Sequence, residues 1–514
     1  MDEIAMAKKE SALGKNTSIY SVPAVRCAEA RYAALASGAA SSLMFKAGQA
    51  AAQFALGLLG AQQGEICIAC GPGNNGGDGF AMAGYLLRAG RTVRVLYVGK
   101  PEDLPPDAAS AYAFWREAAG EGARVFSELG TDCVLGVDAL FGIGCSRAPQ
   151  GIYAAWIQAL NALSVPRLAL DVPSGLCAQT GRIFGICFSA THTLTFIGLK
   201  PGLLTLDGPQ QCGEVFVEAL GVEPVEDDGV LGVKVSPALF QNVLKPRLLN
   251  THKGSFGDVL VLGGAKGMIG AALLAGRAAL HLGAGRVYVG LLDAGALACD
   301  PVQPELMFRA CNQLPSAAGV WVVGPGLGQS AEAVELLEMA LSQLCALVLD
   351  ADALNIIAAH PDLKTRLVNR AAPTILTPHP AEAGRLTGLG TAAIQADRVK
   401  SAVDMAAYFH AWVLLKGCGS VIAGSDGAWF INTTGNPGLA SGGTGDVLSG
   451  FIGALLAQAW PVSSALLAAV HLHGLAAEAL AQALGGMCGF TAQELLVPAR
   501  RLLNAWVASA VQPK

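Results

Sequence analysis

Short apolar runs rich in β-branched residues alternate along the chain with Ala-rich stretches of helical spacing, and most of the apolar runs end in Gly, Pro, Asn or Asp. This pattern predicts parallel α/β units, in which each strand is buried on both faces and a helix forms each crossover. "EICIACG", "TVRVLYVG", "CVLGVDAL", "RLALDVPSG" and "THTLTFIG" make a first series, with helices such as "GGDGFAMAGYLLRAG" between them, and it ends near Leu220. "GVEPVEDDGVLGVKVSP" then gathers acidic and turn residues and reads as a linker. A second series follows with "GDVLVLGG", "GRVYVGLL", "GVWVVGPG", "CALVLDADAL", "APTILTPH", "WVLLKGCGSVIAG" and "AWFINTTG". The expectation is two α/β domains, residues 1–222 and 223–514, joined within the stretch 222–235. The first twenty residues carry no apolar run and read as a loose leader.

Composition sharpens this picture. A chain of 514 residues exceeds the size at which single hydrophobic cores stop growing, and 53% hydrophobic against 14% charged residues supports large cores rather than disorder. The stretch from Val447 to Ala477 carries no Asp, Glu, Lys or Arg and is long enough to span a bilayer. Pro461 interrupts it, and Gln458, Ser463, Ser464, His471 and His473 are spread along it, so buried helices are expected and no membrane partner. A formal charge of −5 without a dense Lys/Arg run argues against a nucleic-acid partner. Thirteen cysteines cannot all pair within one chain, which suits a reducing, cytoplasmic setting.

In the first half, "CGPGNNGGDGF" follows a strand and precedes a helix, where backbone N–H groups can meet a phosphate. Gly71, Gly73 and Gly76 satisfy G-x-G-x-x-G, yet the next strand, "TVRVLYVGK", ends without the acidic residue that holds a ribose, which disfavours a hydride-transferring domain. Asn74, Asn75 and Asp78 among the glycines favour a ligand loop over a plain tight turn. Asp138 in "VDALFGIGCSRAPQG", with Arg147 available for a phosphate, and Asp171 in "LALDVPSG" end two further strands. Either Asp could cap a helix. Together, three such loops at one sheet edge would form a pocket with carboxylates for proton transfer and oxygens for a cation. Cys67 and Cys70 in "CIAC" face opposite sides of a strand and read as core, while His471 and His473 read as packing or polar lining.

The second half carries "GNPGLASGGTGDVLSG", residues 435–450, with Asp446 its only charge. A glycine-rich turn entering a helix offers unsatisfied N–H donors and the positive end of the helix dipole, which stabilise negative charge on a moving phosphoryl group. Asp446 in the first helical turn could then take the proton of an acceptor hydroxyl. The alternative is a helix-packing turn with Asp446 as N-cap.

"GTGD", with "LDADALN", "TPHPAEAGRLTG" and "LLKGCGSVIAG" upstream, resembles the ribokinase-like superfamily and within it the ADP-dependent NAD(P)H-hydrate dehydratases. The first half, through "GPGNNGGDG", "DALFGIG", "DVPSG" and "GLKPGLLT", resembles the NAD(P)H-hydrate epimerase domain, a Rossmann-like three-layer α/β fold. Joined in this order, the halves resemble the bacterial bifunctional NAD(P)H-hydrate repair enzymes. The resemblance implies NADHX and NADPHX as substrates, ADP as co-substrate, potassium in the first domain and magnesium in the second. It places the hydrate against Asn74, Asn75, Gly76, Gly77 and Asp78, and against Gly142, Ile143, Gly144, Cys145, Ser146, Arg147 and Ala148. Asn75, Asp138 and Ser174 would hold potassium, with Asp171 the acid/base. In the second domain Ala271, Gly326, Gly328, His379 and Asp446 would hold the hydrated cofactor. Lys416, Gly417, Cys418, Gly419, Ser420 and Gly445 would meet the nucleotide, with Glu382 organising magnesium. Ile143 stands where Thr is common, and Cys177 and Gln179 replace common acidic residues. A homo-oligomer is expected. The competing reading is a vitamin or sugar kinase of the same fold preceded by a non-catalytic nucleotide-sensing module.

Overall fold

The computed structural model describes residues 17–35, 42–222, 231–293, 295, 297–311, 313–314 and 319–511. The chain divides into two compact units, Met1–Val233 and Lys234–Lys514. Residues 223–230, the middle of the acidic linker stretch, lie outside the described residues, as do 1–16.

Seven parallel strands make the sheet of the first unit: β1 (Glu65–Cys70), β2 (Thr92–Leu96), β3 (Val125–Phe126), β4 (Cys133–Ala139), β5 (Arg167–Leu170), β6 (His192–Phe196) and β7 (Glu214–Glu218). Their order is β3-β2-β1-β4-β5-β6-β7. The chain runs outward from β1 on one side and resumes at β4 on the other, so the crossovers diverge between β1 and β4 and leave a crevice at the strand C-termini. The end of the N-terminal leader is ordered, against expectation. Ser18 and Ile19 pair with Val233 and Gly232, Ile19 and Tyr20 are fully buried, and helix α1 (Val22–Leu35) follows. Isolated apolar residues such as Ile19 and Tyr20 carry no periodic signal, which is why they read as leader.

The sheet of the second unit contains β8 (Asp258–Gly263), β9 (Arg286–Leu291), β10 (Met307–Arg309), β11 (Val320–Val323), β12 (Ala346–Leu349), β13 (Thr374–Leu376), β14 (Trp412–Leu415), β15 (Ser420–Ala423) and β16 (Trp429–Asn432). From β16 the order runs β15-β14-β13-β12-β11-β8-β9-β10, with the equivalent divergence between β8 and β11. β14, β15 and β16 are antiparallel, whereas the sequence pattern predicts parallel units throughout. The turns Lys416–Gly419 and Gly424–Ala428 are too short for crossover helices.

The long uncharged stretch becomes two helices, α5 (Thr444–Ala457) and α6 (Val462–Leu484), with Pro461 between them. α6 is long and apolar enough to cross a membrane, but 72% of its apolar window is buried. α5 lies against helix α3 (Ile269–His281) and the sheet, and the absence of a side chain at Gly453 makes this possible, because a Cβ there would stand 2.7 Å from Val322 Cγ2.

Candidate functional sites

The crevice of the first unit collects three strand ends. After β1, helix α2 (Asn74–Arg88) begins inside the glycine-rich stretch, so the expected loop Asn74–Asp78 is a first helical turn. Gly76 and Gly77 tolerate the helix because of what surrounds them: a Cβ at 76 would fall on the Gly71 carbonyl, and one at 77 would meet Met44 Sδ at 2.5 Å. The Asn75 amide is buried, and among the described residues neither its oxygen nor its nitrogen has a hydrogen-bond partner. Asp138 closes β4 at 0% exposure. Its Oδ1 accepts from Ser174 Oγ at 2.7 Å and Leu140 N at 3.1 Å, and its Oδ2 accepts from Ser174 N at 2.7 Å. Burial still raises the Asp138 pKa to about 6, against the lowering effect of these bonds.

Asp171 follows β5 with φ +64°, in the left-handed region. Oδ1 of Asp171 accepts from Lys200 Nζ at 2.5 Å, Thr195 Oγ1 at 3.2 Å and Phe196 N at 3.3 Å. Oδ2 points to the crevice, since a Cβ on Gly142 would stand 3.2 Å from it and 3.3 Å from Asn75 Oδ1. Asn75, Gly142 and Asp171 thus border one space. Desolvation first, then the Asp171 charge, raises the pKa of the Asp78 carboxyl well above its usual range. In the segment Gly142–Ala148, Cys145 N closes a turn on Gly142 O at 3.0 Å, and Gly144, Ser146 and Arg147 are exposed.

In the second unit the loops after β8 and β11 meet through Ala265 N donating to Gly326 O at 2.7 Å. Gly326 sits beneath Ala271, whose Cβ would lie 3.1 Å from a Cβ at 326. Gly328 N donates to Asp352 Oδ2 at 2.8 Å. Beside these loops stands Asp350, 1% exposed at the end of β12. Lys416 Nζ reaches its Oδ1 at 2.7 Å and Ser449 Oγ its Oδ2 at 2.7 Å. A Cβ on Gly445 would be 3.3 Å from Lys416 Nζ, so the N-terminus of α5 adjoins this pair. Asp446 is in the first turn of α5, as expected, but the N-cap is Gly443 and no side chain caps the helix. Burial foremost, then the neighbouring Asp350 charge, lifts the Asp446 pKa to about 7, with Lys416 opposing.

The strand-end turn Lys416–Ser420 is braced from below. Arg398, 2% exposed, donates from Nη2 to the carbonyls of Leu415 and Lys416 at 3.2 Å each. Ser420 Oγ accepts from Gly417 N at 3.3 Å, Gly419 has φ +61°, and Cys418 is exposed. His379 caps helix α4 (Pro380–Thr387): its Nδ1 accepts from Ala381 N at 3.1 Å, and Glu382 Oε2 accepts from His379 N at 2.7 Å.

Comparison with known proteins agrees with this division. Residues 40–202 match the family model described as YjeF-related protein N-terminus, and residues 259–497 match the model described as NAD(P)H-hydrate dehydratase. The bifunctional NAD(P)H-hydrate repair enzyme of Escherichia coli K12 is 36% identical over 470 residues, which cover 90% of this chain and 89% of that protein. The corresponding protein of Coxiella burnetii is 38% identical over 480 residues, 90% and 94% of the two chains. The chain belongs to the bifunctional NAD(P)H-hydrate repair enzyme family. Among solved structures, an ADP/ATP-dependent NAD(P)H-hydrate dehydratase from Bacillus subtilis, co-crystallized with ATP/Mg2+, has 33% identity and a TM-score of 0.47, covering 53% of this chain and 97% of that one.

Within this family's two-unit frame, the sequence-selected residues converge at two strand-end sites. Asn75, Gly142 and Asp171 share one space, with Asp138 and Ser174 hydrogen-bonded to each other beside them. Ala271, Gly326 and Gly328 share a second, flanked by the Lys416–Asp350 pair and Asp446. Lys416, expected as a charge for the nucleotide, is also held by Asp350, and Glu382, expected as a magnesium organiser, also completes the capping box of α4. Sequence reasoning missed Lys200, Asp350, Ser449 and Arg398 as site supports. "GLKPGLLT" and "LDADALN" contain the first two, and a charged residue set among buried apolar ones was the available signal.

Proposed function

We propose that the chain repairs hydrated NADH and NADPH, the first unit interconverting the R and S forms of NAD(P)HX and the second dehydrating the S form while ADP becomes AMP and phosphate. The observation that carries this reading is that each unit of a bifunctional-family chain has its own carboxylate at a strand-end site, Asp171 directly after β5 in one and Asp446 beside Asp350, which follows β12, in the other.

In the second unit the C6 hydroxyl of the hydrate gives its proton to Asp446, whose pKa of about 7 suits a base at neutral pH. The oxygen forms a bond to the terminal phosphorus of ADP as the anhydride bond breaks and AMP leaves. The Lys416–Ser420 turn and the N-terminus of α5 at Gly445 would face the phosphates. The C6 phosphate ester then departs with its bonding electron pair, and loss of the C5 proton restores the dihydropyridine. Magnesium would neutralise phosphate charge. Glu382, whose Oε2 accepts the His379 N–H and whose Oε1 lies 3.2 Å from His379 Nε2, is the carboxylate that would organise it. His379 is kept neutral, its pKa lowered by burial and by Lys416, and would line the hydrate.

In the first unit, inversion at C6 requires a bond at that carbon to break and reform, and Asp171 moves the proton each way through Oδ2. Potassium fits the oxygens of Asn75, Asp138 and Ser174. A buried amide without partners and a buried carboxylate without a cation among the described residues are the groups such an ion would satisfy. Potassium would supply a fixed positive charge beside the substrate. A cytoplasmic setting and a homo-oligomer are the expected state.

The test is incubation of the chain with S-NADHX and ADP or ATP, followed by recovery of NADH absorbance and identification of the phosphorus products. AMP or ADP with inorganic phosphate supports the reading. A stable phosphorylated product would instead make the second unit a kinase.

A further inference from the structure

In the second unit, strand β8 runs into the glycine-rich turn "GGAKGMIG", helix α3 follows, and β9 comes next. Where the corresponding strand of the first unit, β2, lacks an acidic residue at its end, β9 is followed within two residues by Asp293. In a β-turn-α-β unit an acidic side chain at this place accepts from ribose hydroxyls. The backbone ties Asp293 to the site already described. Leu292 N donates to Gly263 O at 2.9 Å and Asp293 N to Gly264 O at 3.2 Å, in the same turn whose Ala265 N donates to Gly326 O.

Asp293 lines a cavity of about 220 Å³ together with Leu291, Leu297, Ala298, Phe308 and Arg309. This is less than the ~300–1,000 Å³ of pockets that enclose a whole small ligand, so the cavity suits one part of a larger molecule. Val289 lies opposite Phe308 across β9 and β10, and Leu291 is two residues on from Val289, so Leu291 and Phe308 share a sheet face. They give the cavity an apolar wall for a flat ring. Arg309 is engaged by the strands themselves: its Nη1 donates to Phe308 O at 2.7 Å, and its guanidinium stands over the Tyr288 ring, 5.4 Å from the centroid. Asp293 therefore sets the polarity of the cavity.

Strands β12, β11, β8 and β9 are neighbours in that order and all parallel, so their C-terminal ends share one sheet edge. Three strand spacings, about 14 Å, separate the end of β9 from that of β12, where Asp350 adjoins Asp446. A pyrophosphate and two riboses separate the bases of a dinucleotide by a span of this order. We propose that the cavity takes the adenosine half of the hydrated dinucleotide, its base against Leu291 and Phe308 and its ribose hydroxyls donating to Asp293. The second site then prefers S-NADHX, with a free 2′-hydroxyl, over S-NADPHX, because a carboxylate accepts from a hydroxyl and repels a phosphate. This rests on the dehydratase reading of the second unit.

The experiment follows ADP-dependent dehydration by the full chain of three probes: S-NADHX, S-NADPHX and the S-hydrate of reduced nicotinamide mononucleotide, which lacks the adenosine half. The unaltered chain is expected to show a kcat/KM for S-NADHX about tenfold or more above that for S-NADPHX. Asp293→Ala raises KM for S-NADHX about tenfold to a hundredfold, the usual worth of a hydrogen bond to a charged group. It narrows the gap between the two dinucleotides and leaves the mononucleotide hydrate unchanged. Leu297→Trp fills the cavity from a position that is 37% exposed, and raises KM for both dinucleotides but not for the mononucleotide. Wild-type KM for S-NADHX in either variant, or an equal loss on the mononucleotide hydrate, overturns the proposal. So does an equal or higher kcat/KM of the unaltered chain for S-NADPHX. Failure of the unaltered chain to dehydrate any of the three probes overturns the dehydratase reading instead.

Discussion

Lys200 Nζ lies 2.5 Å from Asp171 Oδ1, with the lysine side chain only 1% exposed. Its three N–H donors are matched by three acceptors, Asp171 Oδ1, Thr195 Oγ1 at 2.8 Å and Phe196 O at 2.7 Å. One carboxylate oxygen is thereby fixed, while the other faces the crevice. Lys200→Met removes one partner of a buried pair and leaves the other charge uncompensated, which typically costs about 3–5 kcal/mol. The calorimetric transition of the first unit should fall while that of the second stays in place. An unmoved first transition would show that the pair contributes nothing to the fold.

Asp171→Asn separates charge from shape. Asn accepts the left-handed backbone more readily than most residues and keeps an oxygen for Lys200, so folding should survive. Epimerisation should drop about 10²–10⁴-fold, the usual worth of a positioned acid or base, while S-form dehydration by the same chain continues. Near-normal R-to-S conversion would reduce Asp171 to a structural residue.

Strand alternation and strand-end polarity were readable because each reports a local requirement. Asp138 and Asp171 sit where an apolar run stops, and their sheet order follows from rules of parallel α/β topology. Pairings across many residues carry no such signal. Nothing local joins Lys200 to Asp171 or Asp350 to Lys416, and Ile143 reads as an exception until the buried cluster around Tyr20 explains it. Glu382 shows the converse. Its spacing three residues after His379 is that of a capping box, a local signal outweighed by the superfamily resemblance.

The orphaned Asn75 amide leads to a prediction that needs no substrate. If potassium occupies the Asn75, Asp138 and Ser174 oxygens, KCl should raise the melting temperature of the first unit above that in NaCl of equal ionic strength, by mass action on the folded state. Asn75→Ala should abolish the difference, together with any potassium dependence of epimerisation. Equal melting temperatures in the two salts for the unaltered chain would remove potassium from this site.

The two units should also work apart. Each has its own buried core and its own strand-end site, so residues 1–233 should epimerise the hydrate without nucleotide, and residues 234–514 should dehydrate only the S form. Equal consumption of both epimers by 234–514, after correction for spontaneous epimerisation, would contradict this division of labour.

Asp446 gives the most direct test of the second site. Its pKa of about 7 lies above the ordinary carboxylate value of 3.8, so the folded chain holds a proton that the unfolded chain has released across that window. Ionisation therefore destabilises the fold as pH rises through it, and Asp446→Asn removes this cost. The variant loses a favourable anion in the first turn of α5, worth about 0.3–1 kcal/mol, but no N-cap, because Gly443 holds that position. Stability should change little. Catalysis should change in two ways. In the unaltered chain, kcat/KM for dehydration should rise about tenfold per pH unit up to about 7 and then level, as ionised Asp446 accumulates. In the variant, that limb should vanish and the rate fall about 10²–10⁴-fold. ADP should still bind, since the Lys416–Ser420 turn and the N-terminus of α5 remain and one nearby negative charge is gone. Calorimetric ADP binding beside single-turnover dehydration of S-NADHX across pH measures both effects. A variant that binds ADP and keeps both rate and pH profile would show that the hydroxyl proton goes elsewhere.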